Sequence, residues 1–332
     1  MAIRLFRTII VSLGVLFLGS CGVLQFIFGS VFPSTMTLIK AQADLSKLIP
    51  GSNNGSTYLR LVEVGGYSYV IVTGSPSSNE SFAYIYDLDL NLKKSLTGAS
   101  APAGTGVMVD ASGRIAIGNE FFNAADLSLA GTNTATVYAQ GNAGVDGFAS
   151  GQNFIGISVP STSSNLLTYT SYVGSWTGAG TTPTPLPTLS TNTFNLQVNA
   201  VFDDGVPTGN IIMVISQGSS GGNNNNSVNA HFVTVPKSAF ISGPFPTPVF
   251  DSAPQRDNLD VDSFGYADGS IFAYDTKTSS YVRINPADAS TRSSFYSGSK
   301  NQQSRFAYSV SGGLFYGFDT QTRILTKYVA WW

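Results

Sequence analysis

The 332-residue sequence is 42% hydrophobic but only 11% charged, with a formal net charge of −2, where an average soluble domain carries about 25% charged residues. That composition excludes a disordered polyelectrolyte and a coiled coil, and it supplies no field that would gather nucleic acid, so no nucleic-acid partner is expected. A single Cys and a single His exclude an intramolecular disulfide and a cysteine-built metal site.

Arg4 and Arg7 precede the apolar run 9–17, and Leu18-Gly19-Ser20-Cys21 follows. A basic n-region, a short apolar stretch and small residues form an export signal. The four residues ending in Cys21 resemble the lipobox of bacterial lipoproteins. The resemblance implies a signal peptide over 1–20, cleavage before Cys21, and acyl chains such as palmitate on that residue, which anchor the chain to a membrane. Gly22, where Asp would signal retention, implies the outer membrane. Residues 22–32 depart from the pattern, being apolar where lipoproteins carry a polar tether, and no charge occurs between Arg7 and Lys40. About 20 apolar residues suffice to cross a bilayer, so an uncleaved single-span anchor and a plain secretory signal stay open as alternatives. All three readings export residues 45–332. Residues 21–44 form a tether, with Thr35–Gln42 either a linker or a strand closing against the last repeat.

From Tyr58 onward the chain reads as short strands between Gly, Asn, Ser and Asp clusters: Tyr67–Thr73, Phe82–Tyr86, Arg114–Ile117, Asn210–Ile215, His231–Val235 and Ile271–Tyr274. Repeats organise them. Gly269–Thr278 aligns with Gly313–Thr322 around an aromatic–small–aromatic–Asp–Thr–x–Thr core, with a looser copy at Phe82–Asp89. A second element, a strand followed by a polar residue and a Gly turn, starts at Val109, Val145, Val198 and Val261, with weaker copies at Val62 and Tyr308. A period of about 40–45 residues with four strands per unit is a propeller signature. The two elements resemble blade motifs of the YVTN, NHL and PQQ-type propeller families. The resemblance implies an all-β fold, a β-propeller of about six to seven four-stranded blades over 45–332.

The polar positions of the second element are Glu63, Asp110, Asp146, Asn199, Asp262 and Ser309. Lining a channel, Glu63, Asp110, Asp146 and Asp262 would form an oxygen-rich ring suited to Ca²⁺. The favoured reading is that Asp or Asn before a Gly turn hydrogen-bonds its own backbone as an Asx-turn. His231 is the one candidate general base, and no His-Glu-x-x-His or Cys-x-x-Cys pattern accompanies it. Polar stretches 178–190, 218–227 and 243–257 interrupt the repeats and are expected to crowd one face, with Thr182, Ser219, Asn223, Asn224, Asn225, Arg256 and Asp257 as binding candidates.

The function expected from these features is a lipid-anchored cell-envelope propeller that binds or scaffolds another envelope protein or an extracellular polymer. A lactonase-like propeller hydrolase with an acidic or metal-bearing channel, and a surface adhesin, are the alternatives.

Overall fold

A computed structural model of the chain describes residues 38–49, 56–77, 80–102, 106–109, 113–132, 148–150, 153–158, 166–167, 170–175, 184–185, 189–190, 196–204, 206, 208–217, 227–242, 252–260, 263–297, 304–309 and 314–329. Strand β1 (Leu38–Asp44) comes first in sequence. Strands β2 to β5 (Ser56–Val64, Tyr67–Ser77, Glu80–Tyr86, Leu92–Leu96) form one four-stranded antiparallel sheet. Strands β6 to β9 (Val107–Val109, Arg114–Ile117, Glu120–Asn123, Leu129–Thr132) form the next. A third sheet orders β10 (Phe148–Ser150), β11 (Asn153–Ser158), β13 (Thr170–Ser175) and β14 (Thr184–Pro185), while β12 (Leu166–Leu167) pairs with β15 (Leu189–Ser190).

Strands β16 to β19 (Leu196–Asp203, Asn210–Gln217, Ser227–Pro236, Gln255–Asp260) form a fourth meander. Strands β20 to β23 (Gly265–Ala267, Ser270–Asp275, Ser280–Ile284, Thr291–Ser297) form a fifth, which touches the fourth through the single pair Leu259–Asp275. The last meander, β24 to β26 (Ser304–Ser309, Leu314–Asp319, Ile324–Val329), has three strands of its own among the described residues. Strand β1 supplies its fourth by pairing with β26 from Leu38–Val329 to Asp44–Ile324. Of the two readings left open for Thr35–Gln42, linker or closing strand, the described residues from Leu38 onward take the strand.

Alternation explains the continuous apolar runs. In β21 all six residues are buried: Ile271 and Ala273 pack toward β16 to β19, while Phe272 and Tyr274 pack toward β24 and β25. In β3, Val70 and Val72 face Tyr316 and Phe318, and Ile71 faces Ile115 and Ile117. A strand sends successive side chains to opposite faces, so a sheet covered by a neighbour on each face must be apolar at every position. Each such Val, Ile or Phe removed from water contributes about 1.5–3 kcal/mol. The first strands of the meanders neighbour one another in the order β16, β20, β24, β2, β6, β10. Strands β6 and β16, from opposite parts of that series, line one cavity, so the sheets curl around a centre. Sheets of four antiparallel strands packed face to face about an axis, with the chain's first strand completing the last sheet, make the fold a β-propeller.

The Asp-Thr-x-Thr turns are built alike. Asp275 Oδ1 accepts from the Lys277 and Thr278 N–H groups at 3.0 and 3.1 Å, and Asp319 Oδ1 accepts from Gln321 and Thr322 at 2.8 and 3.1 Å. Ser279 and Arg323 then take left-handed φ values of 51° and 60°. The two turns thus share a hydrogen-bond pattern and a backbone conformation at the offset the sequence repeat predicts.

The expectation that the three polar stretches share one face is corrected by the meander. Residues 218–226 lead into β18 at Ser227, beside Asp260 of β19, whereas the connection 243–251 follows the other end of β18 and enters β19 beside His231. Consecutive connections of an antiparallel sheet lie at opposite strand ends, so these two stretches attach to opposite faces.

Candidate functional site

A cavity of about 190 Å³ lies at the centre, walled by the first strands of five sheets. Strand β2 contributes Arg60 and Glu63, β6 contributes Val107 and Val109, and β16 contributes Phe202 and Asp203. Phe264, Gly265 and Tyr266 come from β20 and the residue before it, and Phe306 and Tyr308 from β24. These strands meet because each is the innermost of its sheet, so their backbones approach most closely here. Gly265 shows how closely: a Cβ on it would lie 2.3 Å from Cδ2 and Cε2 of Tyr308. That ring stacks on Phe272 at 4.4 Å between centroids. Across the cavity Phe202 stacks on Tyr266 at 5.9 Å.

The described carboxylates at the cavity are each partnered. Ser309, buried at the end of β24, donates through Oγ to Glu63 Oε1 at 2.7 Å, joining two sheets. Asp203 pairs with Lys237, whose Nζ lies 2.5 Å from Asp203 Oδ1 and 3.6 Å from Asp204 Oδ1, and donates to the Val206 carbonyl at 2.6 Å. Lys237 opens the short helix α1 (Lys237–Ser242), and its side chain is only 5% exposed. Removing an ammonium from water is costly unless it is paired, and here two carboxylates and a carbonyl meet it. Burial pushes the Tyr266 hydroxyl above its usual pKa, and the Asp204 and Asp203 carboxylates push it further. It therefore stays a proton donor throughout the physiological range.

The sequence-derived candidates fall in several places. Glu63 lines the cavity, bonded to Ser309. Asn199, at a bulge in β16, donates to Ser216 Oγ at 2.8 Å, while its Oδ1 is buried with no hydrogen-bond partner among the described residues, so the Asx-turn expected there does not form. Arg256 donates to Asp275 Oδ2 at 2.9 Å and to Thr291 Oγ1 at 2.5 Å, tying β19 to the next sheet. Asp257 is exposed beside it. His231 is half-buried on β18, opposite Ile215 and Gln255. Cys21, Asp110, Asp146, Thr182, Ser219, Asn223, Asn224, Asn225 and Asp262 lie outside the described residues. Among the described residues no three His, Cys, Asp or Glu side chains gather as a metal site, and no helix is long and apolar enough to cross a membrane.

Sequence reading missed Arg60, Asp203, Tyr266, Tyr308 and Lys237. The repeat element placed Glu63 and Ser309 at equivalent positions, and both sit at inner-strand ends. Nothing local marks Lys237, because its partner Asp203 lies on a different element of the sheet.

No protein-family model matches the sequence, and no curated protein matches it. Among solved structures, the chain is similar to the Swd1 β-propeller domain of Myceliophteria thermophila, with 10% identity, 89% of this chain and 100% of that one covered, and a TM-score of 0.49. It is similar to a subtype N10 neuraminidase-like protein of A/little yellow-shouldered bat/Guatemala/060/2010, at 10% identity, 88% and 99% coverage and a TM-score of 0.44. It is also similar to Myxococcus xanthus glutaminyl cyclase, at 11% identity, 88% and 95% coverage and a TM-score of 0.35. At such identities and scores no activity transfers, and the propeller assignment rests on the sheets of this chain.

Proposed function

We propose that the protein is a lipid-anchored binding or scaffolding module of a bacterial cell envelope, probing its surroundings with the loop faces of the propeller. The observation that carries this reading is the order of features along one continuous segment. The lipobox-like Leu18-Gly19-Ser20-Cys21 is followed, from Leu38, by the strand that completes the last sheet. Residues 22–37 fully extended reach at most about 55 Å, so lipid on Cys21 would hold the ring within about that distance of the bilayer. Loops on a rigid frame are where binding residues concentrate, and the polar stretches 178–190, 218–227 and 243–257 of the sequence are read as supplying that surface. The partner class is another envelope protein or an extracellular polymer.

Labelling cells with an alkyne analogue of palmitate tests the anchor. The wild-type chain takes up label and sediments with membranes, and Cys21→Ala loses both. A Cys21→Ala chain that sediments unchanged would replace the lipid anchor by the apolar segment itself. Crosslinking in native membranes then reads the partner: one stoichiometric envelope component supports the scaffold, and a protein recovered alone counts against it.

A further inference from the structure

We infer that the central cavity is a small-ligand site for one neutral, polyhydroxylated ring, of the size and chemistry of a single pyranose. The inference concerns the cavity alone and stands whether or not the chain is lipid-anchored. Its first support is size. The 190 Å³ space lies below the range of about 300–1,000 Å³ occupied by drug-sized ligands, which favours a single substituted ring over a larger ligand.

Charge narrows the class. Among the described residues Glu63 and Asp203 line the wall with Arg60, and behind Asp203 the Lys237 ammonium is held by both Asp203 and Asp204. With Asp203 and Asp204 already paired to Lys237 and Glu63 bonded to Ser309, an ionic ligand would compete with these pairings, whereas a neutral one leaves them in place. Hydrogen-bond chemistry narrows it further. The carboxylates only accept, the guanidinium only donates, and Tyr266 is held protonated. Hydroxyl groups, which donate and accept at once, satisfy such a mixed lining, while a purely apolar ring would strip water from these groups without replacing it. The remaining walls are flat: Phe202, Phe264, Phe306 and Tyr308 offer ring surface for the C–H face of a saturated ring.

The test uses the full-length chain in detergent and saturation-transfer NMR with D-glucose, D-galactose and N-acetyl-D-glucosamine. Tetramethylammonium and acetate serve as charged probes. At least one sugar is expected to bind saturably with a Kd of about 1 mM, and more tightly than either ion. Arg60→Met and Glu63→Gln are expected to weaken it about tenfold or more, each removing a charge-assisted bond at nearly constant volume. Asp257→Asn, outside the cavity, should leave binding unchanged. If Arg60→Met fails to fold, Glu63→Gln, which retains an acceptor for Ser309, decides alone. A methyl glycoside that binds as well as the free sugar assigns the ligand to the end of a glycan chain; one that does not assigns a free sugar, and either result supports the class. Absence of transfer from all three sugars, tighter binding of an ion, or sugar binding untouched by Glu63→Gln would overturn it.

Discussion

Gly265 sits where two innermost strands are forced together, and Gly265→Ala probes that contact directly. The added Cβ would lie 2.3 Å from two carbons of the Tyr308 ring, against a comfortable carbon–carbon separation of about 3.5 Å. The ring must retreat by about 1.2 Å, yet it is 5% exposed and sandwiched between Phe272 at 4.4 Å and Phe315 at 6.2 Å. Overpacking of this kind costs about 1–3 kcal/mol, and loss of the Phe272 stack adds about 0.5–1.5 kcal/mol. Alanine's smaller unfolded-state entropy returns about 0.4–1 kcal/mol, leaving a net loss of about 2 kcal/mol. Urea unfolding followed by far-UV circular dichroism measures it. In a double-mutant cycle with Tyr308→Leu, the cost of Gly265→Ala should fall by at least about 1 kcal/mol, because the obstructing ring is gone. A Gly265→Ala chain as stable as wild type, or a cost unchanged by Tyr308→Leu, would refute the account of the centre as a ring-on-backbone contact.

Three further outcomes are expected. Lys237→Met leaves the carboxylates of Asp203 and Asp204 without their buried cation and should destabilise by about 3 kcal/mol at pH 7; a variant as stable as wild type in urea titrations would contradict the pairing. Asp87 is a pH probe: burial alone would raise its pKa, but hydrogen bonds from Asn91, Lys93 and the Asn91 and Asp89 N–H groups outweigh it and hold the group at about 2. A depressed folded-state pKa stabilises fully above the unfolded value of 3.8, and the gain disappears as pH falls from there through 2; Asp87→Asn should flatten that part of the stability–pH curve, and an unaltered slope would assign the acid sensitivity elsewhere. Deleting residues 38–44 bares the edge of β26, so the truncated chain should unfold at lower urea and associate through the open edge in size-exclusion chromatography, whereas a stable monomer would show that closure is dispensable.

The fold was legible because its repeats are local. Phe82–Tyr86, Arg114–Ile117 and Ile271–Tyr274 became strands, since Val, Ile and aromatic runs bounded by turn residues have no other stable arrangement. The Asp-Thr-x-Thr turns were legible for the same reason, Asp275 and Asp319 bonding residues two and three places on. The cavity was not. Its walls come from β2, β6, β16, β20 and β24, and sequence spacing carries no record of which innermost strands meet. Glu63 and Ser309 stand 246 positions apart and still touch. Arg256 looked like a loop residue because Pro and Asp surround it, yet its partner Asp275 lies on the adjacent sheet. Side chains that lock their own turn are readable one motif at a time, and those that join sheets are not.

The closing strand also determines how the ring carries mechanical load. Any pull transmitted through the segment before Leu38 enters the domain at the outer edge of the last sheet. Directed along β1, it is shared in shear by the antiparallel ladder; directed outward, it peels the ladder from the Leu38–Val329 end. The register shift between Ile39 and Ala41 divides that ladder, so the first two pairs act as a fuse. Behind them Ala41–Asp44 continues in unbroken register into Leu45, whose N–H donates to the Arg323 carbonyl at 2.9 Å, while the Arg323 guanidinium grips the Ile49 carbonyl at 2.8 Å. A tug on the segment before Leu38 therefore frays two residues before it strains the circle.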